Sequence, residues 1–379
     1  SGALVGALYA AGFSPEEIES YVLSPEFQLI TKGENTTDQR FLIREEEDNA
    51  SLIDLEFSAN TPLKNSLPTN FISSSFLDFE MFIMLGIASA EANDDFDSLF
   101  IPYRCVSSDI TNKKSVVFSK GNLNEVVRTS ITFPFYLNPI KINNQLLFDG
   151  GLYNNFPADI MYNEFNPDYI IGSNVSTNAS PPSEDDLIGQ VINMLVFHSD
   201  FTLPCETGII IEPKSTVTTF DFENVQQAIK SGYESTIEKI DSIKSNLTVT
   251  STQEIIKKRR EEYRKKLTKI YITKIQTQSL KNDKKVSYAE KSLMNSKKET
   301  YLTLNQFEKR YFRLYNAQQI DFIYPTINKI KDSTYAIQLK IKKSKDFKLQ
   351  VGGHFSSRSV NTGYLGITYK QLSQKLLFQ

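Results

Sequence analysis

Residues 139–155 read PIKINNQLLFDGGLYNN, and this stretch decides the fold more clearly than any other part of the chain. Two short apolar runs flank Asn143 and Asn144, a dipeptide of the type that forms tight hairpin turns. Asp149 stands where the second run ends, and two glycines follow it directly. The stretch therefore predicts a β-hairpin that presents an acidic side chain at the start of a glycine turn.

Strands and helices alternate on both sides of this hairpin. Residues 169–175 are apolar throughout and end in loop residues, a pattern typical of a parallel strand in a core. The other predicted strands are Phe100–Ser108 and Val116–Phe118, and the predicted helices are 76–92 and Asn124–Ser130. This alternation indicates an α/β layer architecture that extends to about residue 245.

The chain begins with a run of small residues that predicts a short helix. Gly12 supplies its C-terminal cap, since glycine adopts the left-handed conformation without a steric penalty. Gly2 and Gly6 lie one turn apart, which predicts a face that another backbone approaches closely. Ser14 and Glu17 have the spacing of a capping box for the next helix.

The net charge of the chain, −3, hides a strong internal division. Residues 1–240 contain 13 Lys and Arg against 34 Asp and Glu, a net charge of −21. Residues 241–379 contain 29 basic against 11 acidic residues, a net charge of +18. So abrupt a change predicts at least two units with different surfaces.

The second unit has its own pattern of elements. Residues 246–268 are highly charged and predict a helical linker. Residues 269–345 predict the order strand, helix, strand, strand, and residues 346–379 alternate apolar with polar side chains as half-buried strands do. We expect a small α+β module followed by further strands.

Composition excludes several classes of protein. Hydrophobic residues make up 40% of the chain and charged residues 23%, which are ordinary globular values. No apolar stretch is long enough for a membrane helix. Two cysteines and two histidines do not suffice for a disulfide framework or a histidine-rich metal site. We expect no metal and no cofactor, and two unpaired thiols rather than one bridge.

The first residues also fit the second half of a nucleophile elbow, Gly-x-Ser-x-Gly. If Gly2 is the final glycine, Ser1 is the variable residue and the nucleophilic serine stands just before it. Ser1 itself is a poor nucleophile candidate, because Ala3 occupies the place where the glycine belongs. We expect the chain to be a fragment that lacks this serine.

Three segments, in this order and spacing, resemble bacterial patatin-like phospholipases. They are the run Gly2–Gly12, the segment Arg128-Thr129-Ser130-Ile131-Thr132-Phe133-Pro134, and the segment Asp149-Gly150-Gly151-Leu152-Tyr153-Asn154-Asn155-Phe156-Pro157. The resemblance covers about residues 1–245. It implies a three-layer α/β/α hydrolase domain whose N-terminal strand and oxyanion loop are missing here.

The resemblance also implies a function. Such enzymes hydrolyse phospholipids or other fatty-acyl esters with a serine–aspartate dyad and no histidine, so Asp149 would be the general base. Gly2, Gly150 and Gly151 would serve the backbone geometry of the site. The fragment alone would be inactive, and phospholipid and a membrane surface would be its partners.

Each candidate residue also has a purely structural interpretation. Asp149 could simply cap the glycine turn, although the surrounding motif favours catalysis. Arg128 is equally consistent with a solvated helix residue and with one that organises the site. Asp109 fits a turn residue better than a second catalytic acid, and His198 fits a core or rim histidine.

The second half resembles a different arrangement. Some Gram-negative patatin-like proteins carry a periplasmic POTRA-type module and an outer-membrane β-barrel, to which residues 269–345 and the start of a barrel in 346–379 are similar. This resemblance implies a bacterial cell envelope, with the lipase domain in the periplasm or at the surface. The alternative function is a non-catalytic transport or assembly module with a degenerate lipase scaffold. Nucleic-acid binding by the basic half is a weaker alternative, and we expect none.

Overall fold

The structure, a computed structural model, groups the chain into two units. Unit 1 comprises residues 1–34 and 80–268, and unit 2 comprises residues 35–79 and 269–379. The described residues are 2–34, 50–58, 70, 72–178, 180–247, 251–267, 269–278, 284–294, 299–316, 320–354, 361–369, 371–372 and 377–378. Ser1 and the pair Ser356-Ser357 lie outside them.

The helices are α1 (Gly2–Ala10), α2 (Pro15–Val22), α3 (Pro25–Thr31), α4 (Ser75–Met81), α5 (Ile87–Glu91), α6 (Leu123–Ser130), α7 (Ala158–Phe165), α8 (Leu187–Leu195), α9 (Val225–Ile237), α10 (Ile240–Asn246), α11 (Gln253–Lys265), α12 (Lys284–Leu293) and α13 (Leu304–Asn316). The strands are β1 (Ser51–Phe57), β2 (Cys105–Asp109), β3 (Lys114–Phe118), β4 (Ile140–Ile142), β5 (Gln145–Asp149), β6 (Ile170–Ser173), β7 (Gly208–Ile211), β8 (Tyr271–Thr277), β9 (Ile320–Lys331), β10 (Thr334–Lys343), β11 (Phe347–His354), β12 (Thr362–Tyr369), β13 (Gln371–Leu372) and β14 (Leu377–Phe378).

Unit 1 is built around a four-stranded antiparallel sheet with the order β3-β2-β5-β4. Helix α6 packs against this sheet, and all of its residues are buried. Two of its polar side chains form hydrogen bonds there, since Thr129 Oγ1 lies 2.7 Å from Ser107 Oγ and Ser130 Oγ donates to the Val106 carbonyl. A buried polar helix thus forms the core beside the predicted hairpin.

The predicted hairpin is confirmed. Strands β4 and β5 pair from Ile142 opposite Gln145, and Asn143 and Asn144 form the turn with φ values of 48° and 65°. Asparagine tolerates the left-handed region that such a two-residue turn requires. Asp149 is the last residue of β5, as the sequence predicts.

The parallel strand predicted at 169–175 is present, but it is not buried on both faces. Strand β6 pairs in parallel with β7 and not with the four-stranded sheet. Ile170 is 4% exposed while its neighbour Ile171 is 49% exposed. Because successive side chains of a strand point to opposite faces, one face of this pair is not covered by the described residues.

The two predicted helix signals near the start of the chain are confirmed. Gly12 follows α1 with φ of 93°, and Ser14 and Glu17 form the reciprocal hydrogen bonds of a capping box at α2. At Gly6 the close neighbour is the ring of Tyr103, 3.2 Å from the position of an added Cβ, and not another backbone.

Helix α11, predicted as a charged linker, is helical and packs within unit 1. Arg259 donates to the Phe100 carbonyl at 2.9 Å, and Arg264 forms an ion pair with Glu17. The ring of Tyr263 lies 3.0 Å from where a Cβ on Gly12 would stand, so no larger residue fits that cap without a shift.

Unit 2 contains the strands predicted for residues 269–345. Its first sheet has the order β8-β10-β9, with β8 parallel and β9 antiparallel to β10. Helix α13 packs on β9, and helix α12, which the sequence analysis did not foresee, packs on β8. The POTRA-type assignment stays a prediction.

Residues 35–79, which the sequence analysis placed in the hydrolase domain, group with unit 2. Strand β1 pairs antiparallel with β11, which pairs with β12. Phe76 and Phe79 of α4 pack on Phe312 of α13 with ring centroids 4.8 Å and 5.0 Å away. The sheet β1-β11-β12 is open over the part of the chain that the structure describes, so a barrel stays a prediction.

Helix α4 runs directly into a π-helical turn, Phe82–Gly86, which leads into α5. Phe82 and Leu85 are fully buried in unit 1.

Taken together, the described helices include none with the length and apolar character needed to cross a membrane. The molecule is a mixed α/β protein.

Candidate active site

Asp149 ends β5 and begins the short 3₁₀ turn Gly150–Leu152. Its backbone N–H donates to the Thr132 carbonyl at 2.9 Å. Its carboxylate Oδ1 accepts the N–H of Gly151 at 2.8 Å, and among the described residues Oδ2 has no hydrogen-bond partner. The side chain therefore caps the glycine turn with one oxygen and keeps the other available to accept a proton.

The half-buried position of Asp149 alters its acidity. Burial raises the pKa of the Asp149 carboxyl, while the hydrogen bond from the Gly151 N–H lowers it in part. A carboxylate whose pKa is raised is a stronger base than an ordinary surface aspartate. This is the perturbation expected of a general base.

The two glycines after Asp149 are required by space. A Cβ on Gly150 would stand 2.3 Å from the carbonyl oxygen of Val106, which is backbone and does not yield easily. A Cβ on Gly151 would stand 2.6 Å from Oδ1 of Asn155. Neither glycine has a positive φ, so close approach and not backbone conformation explains them.

Gly2 lies at the exposed start of α1, where an added Cβ would meet nothing within 4 Å among the described residues. Helix α1 itself packs against α6. The role of Gly2 in an elbow therefore stays a prediction.

Arg128 is 0% exposed, so the solvated interpretation is wrong. Its guanidinium donates to Thr132 Oγ1 and, at 3.0 Å, to the Asn138 carbonyl. The Thr132 carbonyl accepts the N–H of Asp149, so Thr132 is hydrogen-bonded both to Arg128 and to Asp149. Thr132 was not predicted as a site residue, although it follows Arg128 by four positions, the spacing of neighbouring side chains on a helix.

Asp109 is the last residue of β2, and its carboxylate caps the turn that follows, which agrees with the structural interpretation. It is buried, and its two oxygens accept hydrogen bonds from Thr111, Asn112 and Gln145. These hydrogen bonds, the one from the Asn112 side chain foremost, lower the pKa of the Asp109 carboxyl. A carboxylate held in this way does not serve as a base.

His198 is exposed, and its Nε2 is 3.2 Å from Nδ2 of Asn178.

Asn155 is a motif residue for which no role was predicted. Its side chain donates to Ser176 Oγ at 2.8 Å and so connects the glycine turn to the segment after β6.

Unit 1 also contains the two cysteines of the chain. Cys105 and Cys205 are both unpaired, and burial raises the pKa of the Cys105 thiol to about 11. The described residues contain no group of three or more His, Cys, Asp or Glu suited to a metal ion.

One surface cavity of about 660 Å³ contains none of the predicted site residues. It is lined by Glu19, Glu223, Asn224, Gln226, Gln227, Ile229, Lys230 and Tyr233.

Comparison with known proteins finds similarity in the part of the chain that contains Arg128 and Asp149. Residues 1–162 match the family model of patatin-like phospholipases. The neuropathy target esterase of Drosophila melanogaster is 38% identical over 69 residues, which are 18% of this chain and 5% of that protein. An uncharacterized NTE family protein of Mycobacterium bovis is 32% identical over 89 residues, 24% of each chain.

A third relative aligns over as many residues as the Drosophila protein does. A patatin-like phospholipase domain-containing protein of Caenorhabditis elegans is 39% identical over 69 residues, 18% of this chain and 5% of that protein. The alignments thus span 5% to 24% of these relatives. Residues 1–162, which carry Arg128 and Asp149, are similar in sequence to patatin-like phospholipases.

Proposed function

We propose that this protein is a serine lipid acyl hydrolase in which Asp149 is the general base. The single observation that carries the proposal is the state of the Asp149 carboxylate, with Oδ1 fixed by Gly151 and Oδ2 without a hydrogen-bond partner among the described residues. The similarity of residues 1–162 to patatin-like phospholipases supports fatty-acyl esters, phospholipids among them, as substrates.

The proposed nucleophile is a serine immediately before Ser1, as the register of Gly2 in the elbow motif requires. One observation supports its placement beside Asp149. Helix α1 packs on α6, which in turn packs on β5.

In the proposed reaction the serine Oγ attacks the ester carbonyl carbon while its proton passes to Asp149 Oδ2. The tetrahedral intermediate collapses, the C–O bond to the alcohol breaks, and Asp149 returns the proton to the leaving oxygen. Water then attacks the acyl carbon while its proton passes to Asp149, the bond from that carbon to the serine Oγ breaks, and Asp149 returns the proton to Oγ as the fatty acid leaves. Backbone N–H groups upstream of the elbow would stabilise the oxyanion.

The test uses the protein carrying the residues that precede Ser1, with a fatty-acyl ester as substrate. We expect Asp149→Asn to lower hydrolysis by about 10²–10⁴-fold, the usual contribution of general base catalysis. The control is Asp109→Asn, which replaces the buried aspartate of the neighbouring strand β2 and should retain hydrolysis. Unchanged hydrolysis in Asp149→Asn contradicts the assigned role.

The alternative, a non-catalytic transport or assembly module, predicts a different outcome. The unaltered protein would then hydrolyse no fatty-acyl ester, and a residue other than serine would precede Ser1. Either result favours the scaffold over the enzyme.

We further propose that the protein acts at a bacterial outer membrane, with residues 269–345 as a POTRA-type module and 346–379 as the first strands of a barrel. In β12 the side chains of Leu365, Ile367 and Tyr369 are exposed on one face, which supports contact with lipid. Separation of inner and outer membranes by density tests the location. Recovery of the protein in the aqueous fraction would contradict it.

A further inference from the structure

Phe135 has a backbone conformation that its side chain does not favour. Its φ is 66°, in the left-handed region that bulky residues avoid because of clashes with the backbone. The ring is 53% exposed, so burial does not offset this cost. Neither local conformation nor packing explains a phenylalanine here, and unexplained strain is concentrated at functional sites.

The loop that carries Phe135 is firmly held. The N–H of Tyr136 donates to the Phe133 carbonyl at 3.2 Å, and Tyr136 Oη donates to the Thr31 carbonyl at 2.6 Å. The rings of Phe133 and Tyr136 both pack on Phe220, which is 45% exposed. Phe135 is therefore an exposed ring on a fixed aromatic loop.

This loop is joined to the candidate active site. Thr132 bonds the backbone of Asp149 and accepts from Arg128. Phe135 follows Thr132 by three residues, so their Cα atoms are at most about 11 Å apart. The exposed ring therefore belongs to a residue within about 11 Å of the threonine whose carbonyl holds Asp149.

We propose that Phe135 is a specificity-determining residue that contacts the acyl chain of the ester, an inference that rests on the proposed function of Asp149. A fatty-acyl chain extends away from the carbonyl and is stabilised by any apolar surface that removes its methylenes from water. Each buried methylene contributes about a fourfold gain in binding. The ring would favour long chains over short ones and leave the chemical step unchanged.

The first test compares kcat/KM for dodecanoyl and butanoyl esters in the protein carrying the residues before Ser1. Phe135→Asn removes the ring, and asparagine tolerates a positive φ, so the fold should persist. We expect kcat/KM for the dodecanoyl ester to fall about tenfold more than kcat/KM for the butanoyl ester. Tyr233→Gln, which removes an exposed ring from α9, is the control and should keep the preference.

A second test does not depend on hydrolysis. The chain contains no tryptophan, so in Phe135→Trp its one indole reports on position 135. We expect a blue shift of its emission with monomeric dodecanoate, and none for the corresponding Tyr233→Trp protein. A shift with phosphatidylglycerol vesicles but not with dodecanoate would assign Phe135 to a lipid surface and overturn the proposal.

The outcomes separate the two proposals. Hydrolysis with an unchanged chain-length preference overturns the role of Phe135 and leaves that of Asp149. Binding of dodecanoate at position 135 without hydrolysis of any ester overturns the role of Asp149 and supports the contact with the acyl chain.

Discussion

The backbone N–H of Asp149 lies 2.9 Å from the carbonyl oxygen of Thr132, and this hydrogen bond joins the end of β5 to the segment after α6. Arg128 donates to the hydroxyl of the same threonine. The proposed base is thereby fixed by a buried cation that does not itself need to contact the substrate. Such a positioning role is tested through stability as well as through activity.

Replacement of Arg128 should destabilise the protein. Arg128→Lys keeps the charge but loses the planar fork that reaches both Thr132 and Asn138. Leaving a buried acceptor unpaired costs about 1–3 kcal/mol of unfolding free energy. The comparison is Arg104→Lys, whose ion pairs have exposed partners and are worth less than about 1 kcal/mol. Denaturant unfolding measures both, and equal losses would contradict the assigned role.

Asp149 and Asp109 should affect stability with opposite signs. The raised pKa of Asp149 means that the folded state binds its proton more tightly, so stability falls as pH rises from about 4, the unfolded pKa, through the folded pKa. Asp149→Asn should therefore be more stable than the unaltered protein at pH 7, with the difference lost near pH 4.

For Asp109 the pKa is lowered, so its contribution is present above the unfolded pKa and is lost as pH falls through the folded pKa. Asp109→Asn should be less stable at pH 7. Thermal unfolding at pH 7 and pH 4 checks both variants, and the same sign for the two at pH 7 would refute this account.

Gly150→Ala should lower stability, because its Cβ would collide with the Val106 backbone. Overpacking of this kind costs about 1–3 kcal/mol. Gly2→Ala is the control, since no described atom lies within 4 Å of its Cβ. Calorimetric melting of the two proteins measures the contrast. If Gly150→Ala melts at the same temperature as Gly2→Ala, the close approach is not real.

Phe79→Ala should weaken unit 2, although residue 79 lies between two segments of unit 1 in the sequence. The ring is buried against Tyr311 and Phe312, and loss of such a ring costs about 3–5 kcal/mol. Hydrogen exchange should show reduced protection in α13 and unchanged protection in α6. Phe220→Ala, which removes a half-exposed ring, should leave α13 protected.

Local signals made much of the fold predictable. Asn143 and Asn144 specify their turn by tolerating positive φ, and Gly12 and Ser14 specify helix ends through their own caps. Residues 269–345 were predicted to begin with a strand, and β8, Tyr271–Thr277, is that strand. In each case the information lies within a few residues of the feature.

Features that depend on distant residues could not be predicted in this way. The pairing of β1 with β11 joins residues nearly three hundred positions apart, and no local pattern encodes it. The positive φ of Phe135 has no local signal either, because phenylalanine is not a residue that favours that region. At the site, motif resemblance identified Asp149, whereas the buried state of Arg128 emerged only from packing.

The contribution of residues 35–79 to unit 2 limits how the gene can be rearranged. A segment encoding residues 269–379 alone would lack β1 and the rings of Phe76 and Phe79. Its product would expose the unpaired edge of β11, which invites aggregation. Residues 80–268 of unit 1 separate the two segments of unit 2 in the sequence. A single recombination event therefore could not transfer unit 2 alone to another protein, and the two units are expected to be inherited together.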